Sequence, residues 1–157
     1  PLHPARAVAD VRAAAPAGGV IVGDPGVAGL WAARTFPTTE PGTIVVPAIA
    51  TPGIAAALAL VAALRGLPAV AVITEPLDPA TLGVLELATE LGAALAMDVW
   101  GAGGPVRRAE DHLEHLHAAV REPGVTIVDV PVDVSLTRKL VDAAGPVVAW
   151  GGLPSSE

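Results

Sequence analysis

The 157-residue chain has no cysteine and no tyrosine, and Phe36 is its only phenylalanine. Without cysteine there is no disulfide framework, no thiolate nucleophile and no zinc-thiolate centre, which fits a cytoplasmic protein. Aromatics are scarce although just over half the residues are apolar. The core must therefore rest on alanine and valine, with closely packed helices against a β-branched sheet. Basic residues are also few: nine Lys and Arg against sixteen Asp and Glu give a net charge of -7. No basic surface is left to release counterions from nucleic acid, so DNA and RNA are excluded as main partners. Long apolar runs are missing as well. The longest, GIAAALALVAAL from Gly53 to Leu64, is too short to span a bilayer and is followed at once by Arg65 and Gly66, so it reads as a core helix and no membrane partner is expected. The opening PLHPARAVADVRAAA has no initiator methionine and no signal-peptide pattern, which suggests a piece of a longer polypeptide. Serine occurs only at 135, 155 and 156, never in a nucleophile-elbow sequence, so no Ser-His-Asp arrangement is legible.

Helix and strand signals alternate with little interruption. Helical composition marks 3–15, the helix opened by Asp24 and Pro25, 52–65, 79–91, the amphipathic 107–122 with Leu113, Leu116 and Val120 on one face, and 135–144. Between them lie GGVIVG, TIVV, PAVAVIT, AALAMDV, GVTIVDV and GPVVAW. Six nearly continuous apolar strands separated by helices predict an α/β fold: a doubly wound, mainly parallel six-stranded sheet with helices on both faces. One domain covers 1–151 and a tail covers 152–157. The GAGGP segment at 101–105 is the one loop flexible enough for a lid or a shortened insertion.

In such a sheet ligands bind beyond the carboxyl ends of the strands. GDPGVAG at 23–29 has glycines at intervals of three, matching neither the dinucleotide fingerprint nor the Walker pattern, and reads as a tight turn. PAIATPGIAA at 47–56 offers Gly53 for close backbone approach but only Thr51 as a polar side chain, enough for a pocket wall and not for acid-base chemistry. In VITEPLDPATLGVLELATELG, Glu75 and Asp78 could supply oxygen ligands to magnesium. Asp78, just before Pro79, is better placed as a helix cap. His112 and His115, three apart, could share a helical face and pair on a metal, but without a third ligand they read as part of a solvated polar face.

Taken together, LHPARAVADVRAAAPAGGVIVGDPGVAGLWAARTF resembles the start of the C-terminal, diphosphate-binding domain of thiamine-diphosphate enzymes of the acetolactate synthase type. The matching elements are Pro16, the strand at Val20 to Val22, the Asp24 and Gly26 turn, and Trp31 to Arg34. PAIATPGIAAALALVAAL is similar to that family's glycine-rich turn and Ala-rich helix, and AVITEPLDPATLGVLELAT to its strand, metal loop and following helix. The resemblance implies thiamine diphosphate and magnesium as cofactors, with Gly53, Glu75 and Asp78 as the cofactor-binding positions and the metal ligand set unassigned. It also implies 2-oxo acid decarboxylation or carboligation as the parent chemistry, and a homo-oligomer or a companion pyrimidine-binding domain as partner. The family's Gly-Asp-Gly metal loop is replaced by Glu75, Pro76 and Leu77, and its later Asn has no counterpart. The same sequence from 104 onward is similar to a transketolase-type pyrimidine-binding domain, whose activating glutamate would fall near Thr51. The alternatives are thus a domain that is not catalytic alone, or a non-catalytic structural or interaction domain.

Overall fold

Five of the apolar runs form strands in the computed structural model, which describes residues 1–101, 106 and 108–145. The order is α1 (Pro4–Ala14), β1 (Val20–Gly23), α2 (Val27–Thr35), β2 (Ile44–Val45), α3 (Ile54–Leu64), β3 (Ala69–Thr74), α4 (Pro79–Glu90), β4 (Leu95–Gly101), α5 (Ala109–Ala119), β5 (Val125–Pro131), a 3₁₀ turn at Val134–Leu136 and α6 (Thr137–Ala144). The strands are all parallel in the order β2-β1-β3-β4-β5. The doubly wound α/β architecture is as expected. The sixth strand, the GAGGP loop beyond Gly101 and the tail lie outside the described residues.

Successive strand residues point to opposite faces, so each strand feeds two cores. On one face Val70, Val72, Trp100 and Val130 pack with Val8 and Val11 of α1, Trp31 of α2 and Leu116 of α5. On the other, Ala71, Ile73, Met97 and Val99 pack with Ala55, Ala59 and Leu60 of α3 and Leu85 of α4. Ala55, Ala56 and Ala59 of α3 are fully buried, and their small size lets the helix backbone come close to the sheet.

Local starts follow side-chain chemistry. His3 caps α1, its Nδ1 accepting from the Ala5 N–H at 3.2 Å, and Pro4 fills the first helical position. At α2 the expected opening is corrected: the helix starts at Val27 after Gly26, and Asp24 contributes its carbonyl, which accepts from the Gly29 N–H at 2.8 Å. The N-terminus is tied to the far edge of the sheet. Leu2 forms a parallel bridge with Val132, its N–H donating to the Pro131 carbonyl at 2.6 Å and its carbonyl accepting from Asp133 at 2.9 Å.

Candidate functional site

With this strand order the chain reverses its direction of winding between β1 and β3, and the crevice beyond their carboxyl ends is where such sheets bind ligands. The residues that meet there are Asp24, from the turn after β1, Gly53, at the start of α3, and Asp78, at the start of α4. Gly53 has a left-handed backbone with φ of 74°. A Cβ on it would stand 3.0 to 3.1 Å from Ala80 and the Thr81 nitrogen, so the two helix starts are in direct contact. Glycine is required both for the dihedral and for the approach.

Asp78 sits at this junction and uses both carboxylate oxygens. Oδ1 accepts from the N–H groups of Ala80 at 2.9 Å and Thr81 at 3.0 Å. Oδ2 accepts from the Thr81 hydroxyl at 2.7 Å and the Gly53 N–H at 3.3 Å. The expected cap is therefore present and also ties α3 to α4. The Thr81 N–H and hydroxyl, with Gly53 and Ala80, outweigh burial and hold the Asp78 carboxyl below its usual range. Asp24 moves the other way, raised by burial and then by the charge of Asp78. The crevice thus holds two acidic side chains, one of them consumed by backbone donors.

Glu75 is placed elsewhere. Its N–H donates to the Trp100 carbonyl at 2.9 Å, and its carboxylate lies over Gly101, where any Cβ would overlap it. It borders a cleft of about 630 Å³ beyond β3, β4 and β5, lined by Thr74, Trp100, Gly101, Pro131 and Asp133 among others. Asp129 on β5 is raised by burial, then by the charges of Glu75 and Asp98. Gly53 and Asp78 are brought together; Glu75 belongs to a second locus. Among the described residues, no three His, Asp or Glu side chains are grouped to hold a metal ion.

The histidine pair is corrected. His115 is exposed, its Nδ1 donating to the Asp111 carbonyl at 2.7 Å, whereas His112 is fully buried. Its Nε2 faces Asp98 Oδ1 at 2.9 Å and its Nδ1 faces Asp10 Oδ2 at 3.1 Å. Arg6 Nε donates to the other oxygen of Asp10 at 2.7 Å, and Trp100 Nε1 to the other oxygen of Asp98 at 2.8 Å. Two signals mark this cluster in the sequence: Asp98 interrupts the apolar run LAMDVWG, and His112 lies four residues before Leu116 on the inward stripe of α5.

No protein-family model matches the sequence, and no curated protein sequence matches it. Solved structures do. The thiamine diphosphate-dependent 4-hydroxybenzoylformate decarboxylase of Rhodococcus jostii RHA1 superimposes with a TM-score of 0.73 at 17% identity, over 84% of this chain and 33% of that one. Benzoylformate decarboxylase from Polynucleobacter necessarius gives 0.65 at 14% identity, over 86% and 34%. A putative thiamin diphosphate-dependent enzyme from Mycobacterium smegmatis gives 0.62 at 17% identity, over 84% and 32%. The chain spans about a third of the length of each. At these identities the likeness is one of fold, and the chain is an α/β domain similar to one domain of thiamine diphosphate-dependent decarboxylases.

Proposed function

We propose that this chain is a non-catalytic domain of thiamine-diphosphate type, retained for assembly and not for cofactor chemistry. The observation that carries this reading is the engagement of Asp78. A diphosphate held at this crevice would need backbone N–H groups at helix starts. Those of Gly53, Ala80 and Thr81 already donate to the Asp78 carboxylate. Asp24 adds a second acidic group beside it. Thiamine diphosphate and magnesium therefore do not fit the residues present: the backbone donors are taken, no three His, Asp or Glu side chains are grouped for a metal among the described residues, and Glu75 stands at a separate cleft.

What the domain retains is surface. Every residue of α3 is apolar, and Leu58, Val61 and Leu64 on its outer side are exposed, with Leu67 beyond them. A helix that is apolar all round is ordinarily buried. An uncharged stripe of this kind is self-complementary under a two-fold axis, and the partner we assign to it is a second copy of the chain.

Titration calorimetry with thiamine diphosphate and magnesium tests the first part, and light scattering after size exclusion tests the second. No heat, together with a dimer, is the expected result. Saturable binding that is lost in Asp78→Ala or Glu75→Ala would overturn the proposal and restore the reading of a 2-oxo acid enzyme domain. A monomer at all concentrations would remove the second copy and leave a companion domain as the occupant.

A further inference from the structure

We infer that His112 is a protonation-controlled latch, held as an imidazolium between two buried carboxylates and fastening α1 and α5 to β4. Both ring nitrogens face carboxylate oxygens, Asp98 at 2.9 Å and Asp10 at 3.1 Å. A carboxylate only accepts, so two such contacts require two ring N–H groups, which only the charged imidazole has. Loss of one proton turns one contact from a charge-assisted hydrogen bond into a lone pair against a carboxylate, inside a site with no exposure to water.

The charges balance only in the protonated state. From α1 the groups facing His112 are Asp10 and, behind it, Arg6. From β4 the group is Asp98, with the Trp100 indole N–H on its second oxygen. β5 turns Val128 and Val130 to this face; the alternation of the strand puts Asp129 on the other, from which its charge still acts on Asp98. On α5 itself Asp111 pairs with Arg108 at the surface, and His117 reaches the Ala13 carbonyl at 3.4 Å. Arg6, Asp10, His112 and Asp98 sum to zero with the imidazole charged, and leave one uncompensated negative charge when it is neutral.

Burial alone would lower the pKa of His112, but Asp98 and then Asp10 outweigh it, and the net shift from the ordinary 6.5 is upward. A group raised on folding contributes stability that is complete below its unfolded pKa and is lost as pH rises through the folded value. The latch is therefore closed below the ordinary 6.5 and opens as pH rises through the raised folded value. Trp100 shares Asp98 with His112 and also lines the cleft beside Glu75, so opening reaches that cleft.

The test is an NMR titration of the imidazole signals of the intact chain, assigned by comparison with His3→Gln, His115→Gln and His117→Gln, together with urea unfolding as pH rises from below the ordinary 6.5. One imidazole is expected to titrate above 6.5, and wild-type stability is expected to fall as it does. In His112→Gln that decline should be absent, while the three surface variants keep it. A His112 midpoint at or below 6.5, or a decline of equal size in His112→Gln, would overturn the inference. If His112→Gln does not fold, the wild-type titration still decides.

Discussion

The two faces of the sheet are built on opposite solutions to the same problem. On the α3 and α4 side the strands meet alanine and leucine, with Ala55, Ala56 and Ala59 wholly buried and, among the described residues, no buried ionic group. On the α1, α2 and α5 side an equally buried layer contains Asp10, Asp98 and His112. An apolar layer tolerates exchange of similar volumes. A buried ionic layer does not tolerate loss of one member, because the remaining charge has no solvent to fall back on. Specificity of docking is thus concentrated on one face, and close backbone approach on the other.

Asp98→Ala should separate the two faces most sharply. It leaves the His112 Nε2–H and the Trp100 N–H each without a partner, and should cost about 3–5 kcal/mol in urea unfolding. On the opposite face Ala59→Leu puts a longer side chain where exposure is 0%, and a loss of about 1–3 kcal/mol is expected in the same measurement. If the alanine substitution at 98 costs no more than this overpacking, the ionic layer has no special status.

Asp78→Ala, at the crevice between the faces, removes a cap and should cost about 0.5–2 kcal/mol. Because its carboxyl is held low in the folded chain, that contribution is present above the unfolded pKa of about 3.9 and fades as pH falls through the folded value. The difference between wild type and variant should therefore shrink as pH falls, whereas the contribution of His112 is lost as pH rises. The smallest effect on stability belongs to the double change Val61→Glu and Leu64→Glu. These side chains are half exposed, so unfolding of the monomer should shift by no more than about 0.5 kcal/mol. Light scattering should show the dimer lost.

How much of this was legible in the sequence divides along the same line. Continuous apolar runs identified the strands because a parallel sheet buries both faces, and TIVV shortened only to Ile44–Val45 at the edge. Asp78 could be read as a cap because an aspartate before Pro79 has a local partner. Its second tie, to Gly53, spans 25 residues and has no local signature. His112 was misread for a related reason. A histidine among Glu110, Asp111 and Glu114 matches a solvated helix face, and what reverses this is Asp10, 102 residues away, together with Asp98 on a different element. Long-range polar contacts leave no periodicity behind.

The tie between Leu2 and Val132 bears on how the chain comes off the ribosome. α1 is made before the groups that receive it: His112 on α5 lies 102 residues after Asp10, and the end of β5 comes later still. At synthesis rates of about 5–20 residues per second, its apolar stripe of Ala7, Val8 and Val11 waits roughly 5–20 s for those partners. Among the described helices, α1 emerges before the others yet is among the last to dock, and a chaperone that shields nascent apolar stripes would act on it in that interval.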